Sequence, residues 1–110
     1  MNFYIGNSID EIDIKDDNIE FSDELIKFIY KLSKQSSFDM SKLYEINPYE
    51  DVEISKRDLP KIIEICNYIL DKSLLKDYVE RDIGNQELKN LIEIAQKGII
   101  SDLGLISIGD

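Results

Sequence analysis

Apolar residues recur along the chain at two spacings, and the changes of spacing mark out its elements. Leu25, Phe28, Ile29 and Leu32 fall at i, i+3, i+4 and i+7, which predicts an amphipathic helix opening at Ser22. Ser22 suits an N-cap, and Asp23 and Glu24 in the first turn meet the positive end of the helix dipole. This helix is expected to fade in the polar SKQSS. A stronger stripe follows: Leu59, Ile62, Ile63, Cys66, Ile69 and Leu70. Its cap is expected at Ser55 or Asp58, with Pro60 near the start, where a missing N–H costs nothing. Ser73 is expected to cap a further helix carrying Leu74, Leu75, Tyr78 and Val79, broken at DIGN with Gly84 in the position after the helix end. Asn85 then opens a last helix with Leu88, Leu91, Ile92 and Ala95, stopped by Gly98. The off-stripe Ile26, Ile65 and Ile94 broaden these faces, so the helices are expected to touch more than one neighbour, or a partner.

Between and around the helices the pattern is extended or turn-like. NFYIG reads as a short strand or extended entry closed by Gly6, and IDEIDI alternates imperfectly before the turn-like KDDN. Residues 38–55 form a connector with some local order, in which Asn47-Pro48 marks a turn and DVEI a short extended piece. The tail LGLISIGD is apolar and punctuated by glycine; it is either a strand pairing with NFYIG or a segment laid across the core. There is no internal repeat, linker or low-complexity tract. The expected fold is mostly α: a single compact domain over residues 1–110, with three to four helices and short extended segments at the termini and near residues 51–54.

Charge changes this picture more than bulk composition does. With 43% hydrophobic and 33% charged residues the chain has the make-up of a globular domain. Its net charge of −10 disfavours direct binding to nucleic acid or anionic lipid, where basic groups supply the affinity, and favours a basic partner drawn in at long range. Residues 1–24 hold eight acids (Asp10, Glu11, Asp13, Asp16, Asp17, Glu20, Asp23 and Glu24) against Lys15, a net of −7, which leaves −3 for the other 86 residues. No apolar run reaches the ~20 residues of a membrane helix, and the N-terminus lacks the basic and apolar regions of a signal peptide. A single cysteine, Cys66, permits no intrachain disulfide and fits a reducing cytoplasm.

The side-chain inventory excludes much chemistry. Histidine is absent, which removes the usual base of Ser/His and Cys/His catalysis. Cys66 lies in mid-stripe and is expected to be a buried small hydrophobe. One cysteine cannot build a zinc site, and the glycines at 6, 84, 98, 104 and 109 match no phosphate-cradling loop. DIKDDNIEFSDE has the acid density of a calcium loop but not its order or its turn glycine. Paired carboxylates can cleave glycosides, but nothing in the pattern suggests a sugar cleft. The expectation is a protein that is not an enzyme and uses no cofactor or metal.

What remains is acid beside tyrosine. Tyr44, Glu45, Tyr49, Glu50, Asp51 and Glu53 fall within ten residues, and Asp10, Glu11 and Asp13 lie in the N-terminal run. Tyrosine buries a rigid ring and keeps a polar tip, and neighbouring carboxylates pair with Arg or Lys on a partner. These nine residues are the candidate partner-binding set. The bland reading is that Tyr49 tucks onto the core while the acids solvate a turn.

FYIGNSIDEI at the start, INPYEDVEIS with DLPKIIEIC in the middle, and LGLISIGD at the end resemble the small immunity proteins of bacterial polymorphic-toxin and contact-dependent growth inhibition systems. That resemblance spans most of the chain. It implies a cytoplasmic protein that binds one cognate toxin domain and blocks it, and acidic immunity proteins of this kind often cover the basic cleft of a nuclease. Two rivals stand beside it. A structural or regulatory subunit of a bacterial complex would use an apolar face. An acidic nucleic-acid mimic would spread its carboxylates along an extended face, whereas here they concentrate at one end and in one turn.

Overall fold

The computed structural model describes residues 1–109. The two ends of the chain form the middle of a sheet. β1 (Asn2–Ile5) pairs antiparallel with β4 (Leu105–Ile108), so the LISI of the apolar tail is the partner strand of NFYI, while the last residue of the tail lies outside the described residues. β2 (Asn18–Glu20) joins the other side of β1, and β3 (Val52–Ile54) the other side of β4, giving the order β2-β1-β4-β3, antiparallel throughout. The helices are α1 (Asp23–Ser33), the single turn α2 (Ser41–Tyr44), α3 (Leu59–Asp71) and α4 (Arg81–Ile100).

Half the chain is helical and 13% is strand, so the architecture is helices packed on a sheet rather than helices alone. Register decides what each face of the sheet does, because successive side chains point to opposite sides. Phe3 sits opposite Ile19 and Ser107, and Leu105 opposite Ile5 and Ile54. Those side chains and Val52 share the helical side, and all but Ser107 belong to or pack on one core with Leu25, Ile29, Leu59, Ile62, Ile69, Leu88 and Leu91. Each such side chain, fully buried, contributes about 1.5–3 kcal/mol of transfer free energy. Ile26, Ile65 and Ile94 are buried too, so the broad helix faces are used inside the molecule. Cys66 is buried in the same core, and burial pushes its thiol up to about 12.

Three expectations need correction. No helix runs from Ser73 to Val79, because Ser73 ends α3 instead of opening a helix. It adopts φ 53°, Ser73 N–H donates to Leu70 O, and Leu74 N–H to Ile69 O, which is the Schellman closure. Nor does Gly84 end a helix: α4 runs through it, and Asn85 is an interior residue. Gly98 is likewise inside α4. The closing left-handed residue is Asp102 (φ 61°), with Asp102 N–H to Ile99 O and Leu103 N–H to Gly98 O. Val79, expected on an apolar stripe, is 98% exposed. Other expectations hold. Ser22 caps α1, its Oγ accepting Leu25 N–H at 3.3 Å, and Pro60 stands in the first turn of α3. The expected cap of α3 holds in position only: Asp58 stands at the N-cap, but neither it nor Ser55 makes a side-chain cap bond.

The outer face of the sheet is covered differently. Tyr4 and Ile106 point away from the helices yet are buried. Their cover is the acidic segment between β1 and β2, which folds back over the sheet as a strap. Gly6 N–H donates to Gly104 O, Gly104 N–H to Asn7 Oδ1, and Tyr4 Oη to Ile14 O. At Gly6 the Ile12 and Ile106 side chains lie so close that an added Cβ would meet both, at 3.2 and 3.6 Å. Among the described residues no helix is long and apolar enough to cross a membrane.

Candidate functional site

The strap explains how an acid-rich segment becomes ordered. IDEIDI is neither a strand nor a helix. It forms a 3-10 turn at Ile9–Glu11, capped by Ser8 Oγ accepting Asp10 N–H, and then a tighter turn in which Asp13 N–H donates to Asp16 Oδ2 and Lys15 N–H to Asp13 Oδ1. Ile12 is half-buried under this path. Ile9 and Ile14 stay at the surface, Ile14 with 81% of its area exposed.

Asp10, Glu11 and Asp13 are all exposed on the strap. The second acidic stretch comes to meet them. Asp51 and Glu53 flank the inward-pointing Val52, so both project from the outer side of β3. Ile9 N–H donates to Glu53 Oε2 at 2.9 Å, which joins segments 44 residues apart into one surface. Glu50 closes the turn with its N–H on Asn47 O, and Asp51 Oδ1 accepts Gly109 N–H at 3.1 Å. Among the described residues none of Asp10, Glu11, Asp13, Glu50, Asp51 and Glu53 forms an ion pair; the carboxylates that do are Asp58, Glu64, Asp82, Glu93 and Asp102. The acidic surface therefore carries charge that the chain itself leaves uncompensated.

The tyrosines divide. Tyr49 is 56% exposed, so it is neither tucked onto the core nor a ready-buried anchor. Its backbone N–H is held by Asn47 Oδ1, and its hydroxyl donates to Asp23 Oδ2 at 3.1 Å. Lys27 is held above the ordinary lysine value of 10.5, first by its hydrogen bond with the Tyr49 side chain and then by electrostatic attraction to it, with Asp23 and Glu24 adding. Tyr49 thus ties the turn to the first turn of α1. Tyr44 packs edge-on against Tyr30 with ring centroids 5.1 Å apart and takes no part in the surface. Glu45 does approach it, across a cleft of about 160 Å³ along β3 lined by Glu53, Lys42 and Asp58.

Sequence reasoning missed Asp23 and Lys27 as the partners of Tyr49, and the exposed Ile9 and Ile14 among the acids. The irregular spacing of isoleucines in IDEIDI was the available signal: Ile12 faces in, and the other two do not. Comparison of the chain with protein-family models, with curated proteins and with solved structures returned no match.

Proposed function

We propose that this protein is a non-enzymatic immunity protein that binds a cognate bacterial toxin domain, a nuclease, and covers its basic substrate surface. The observation that carries this reading is the Ile9–Glu53 hydrogen bond, which merges two acidic segments into one unpaired surface. Uncompensated carboxylates on an ordered backbone suit Arg and Lys of a partner, because little ordering entropy remains to be lost on binding. Ile9 and Ile14 give the same surface apolar groups to bury, and a buried apolar centre with a polar rim is the usual anatomy of a protein interface. A nucleic-acid mimic needs carboxylates in a regular array; these are mounted on turns of differing geometry, which favours a protein partner shaped to them.

The test is protection. Where the reading frame beside this one encodes a large secreted protein, as the reading requires, its C-terminal domain is co-produced with the wild type or with Asp10→Lys/Glu53→Lys. The reading requires the wild type to restore growth and the double variant, folded by circular dichroism, to fail. Full protection by the double variant removes this surface from the function.

A further inference from the structure

A second site lies among the helices and shares no residue with the acidic surface. The Schellman closure of α3 turns the chain at Ser73, and the loop that follows packs against the start of α4 with Leu75 buried. Between them is a cleft of about 360 Å³ lined by Leu70, Ser73, Leu75, Lys76, Arg81, Asn85 and Lys89. In a chain of net charge −10, three of its seven lining residues are cations and none is an acid.

The arrangement follows from helix periodicity. Arg81, Asn85 and Lys89 succeed one another at i+4 along one face of α4, so their side chains stack on the side that faces the loop. Lys76 comes from the loop opposite. Lys76 and Lys89 form no ion pair among the described residues, and Arg81 meets only Asp82 at 3.7 Å, with the Asp82 side chain 94% exposed. Like charges held around one hollow repel, and an anion between them removes that cost. Arg presents a planar fork suited to phosphate oxygens, Lys a point charge, and Ser73 and Asn85 neutral donors. Leu70 and Leu75 supply an apolar wall. The volume falls at the low end of small-molecule clefts, ~300–1,000 Å³, which leaves room for an organic group beyond the phosphate.

We infer that this cleft binds a small phosphorylated organic anion, with Arg81, Lys76 and Lys89 on the phosphate and the leucine wall against its organic part. The probes are inorganic phosphate and adenosine monophosphate, titrated at fixed ionic strength into the full-length chain and followed by amide chemical shifts. Adenosine monophosphate is expected to bind saturably, more tightly than inorganic phosphate, with shifts centred on residues 73–76, 81, 85 and 89. Arg81→Gln, an exposed change that leaves the spectrum folded, is expected to weaken it at least about tenfold, the scale of a lost charged hydrogen bond. Lys34→Gln, outside the cleft, is expected to leave the affinity unchanged. Non-saturating shifts spread over scattered lysines overturn the site. So does an Arg81→Gln variant of undiminished affinity, and phosphate binding as tightly as the nucleotide overturns the organic-ligand assignment.

Discussion

Tyr49 shows how one side chain serves both fold and surface. More than half of its area is exposed, but its hydroxyl is committed to Asp23 and Lys27. Tyr49→Phe keeps the ring and deletes the tether. At so exposed a site the loss is expected at the low end of hydrogen-bond contributions, about 0.5 kcal/mol by chemical denaturation, and the Lys27 pKa is expected to fall back toward 10.5 in an NMR titration. An unchanged Lys27 titration in Tyr49→Phe would mean that the turn is held by Asn47 and Pro48 alone. At the other extreme stands Gly104, where β3 approaches so closely that an added Cβ would lie inside the van der Waals surface of the Ile54 carbonyl oxygen. Gly104→Ala is therefore expected to cost about 2 kcal/mol or more, the scale of a backbone forced to shift in a packed site. A melting temperature within a degree of wild type would show that β3 is free to move outward.

At the scale of elements, both long helices close on a left-handed residue that is not glycine, Ser73 for α3 and Asp102 for α4. That conformation costs a side-chain-bearing residue about 1 kcal/mol. Ser73→Gly is expected to stabilise the protein by ~0.5–1 kcal/mol in equilibrium denaturation, and a destabilised variant would show that the Ser73 side chain holds the loop. These two closures are also where sequence reasoning failed, because glycine is the usual mark of a helix end, and here the glycines lie inside α4. α1, α3 and the stripe of α4 from Leu88 to Ala95 were readable, since a 3.6-residue repeat is a local signal. The sheet was only half readable. Both terminal strands read as extended, and their pairing is one of two options; β2 carries only Ile19 as an inward apolar group, too little for a strand pattern. Pairing across a hundred residues leaves no periodic trace. The candidate residues were named from acid density and aromatic content, but that Ile9 meets Glu53 depends on the strap folding back, which no local pattern announces.

The whole molecule is a charged body with few internal compensations. Asp39 is held below the ordinary carboxylate value, first by the Ser41 side-chain hydrogen bond and then by the Ser41 backbone N–H. Asp102 is lowered by its hydrogen bond from Lys56 and by that ammonium's charge. A lowered carboxylate adds stability above its unfolded value, 3.8, and loses it as pH falls through the folded value. The raised Lys27 does the reverse: its contribution is present below 10.5 and lost as pH climbs through the folded value. Cys66 sets a nearer alkaline limit: with its buried thiol pushed up to about 12, only the unfolded chain ionises it above 9.0, so stability is lost from there upward. Melting temperature is thus expected to be flat between the carboxylate limit and 9.0 and to fall outside that window, when followed by circular dichroism at constant ionic strength. A maximum near the isoelectric point of about 4.4 would mean instead that self-repulsion of the net charge outweighs these local contacts.

The same field bears on the central claim, that the merged surface of Asp10, Glu11, Asp13, Asp51 and Glu53 recruits a basic partner. The most direct measurement is stopped-flow association with a toxin nuclease domain of the proposed kind, over a series of salt concentrations, for wild type and Glu53→Lys. Exposed charges are screened beyond ~8 Å at physiological ionic strength, so the wild-type on-rate is expected to fall steeply as salt rises. Glu53→Lys is expected to associate more slowly at low salt and to converge on the wild type at high salt. An on-rate that ignores salt, or a Glu53→Lys variant that associates like the wild type at every concentration, contradicts the account.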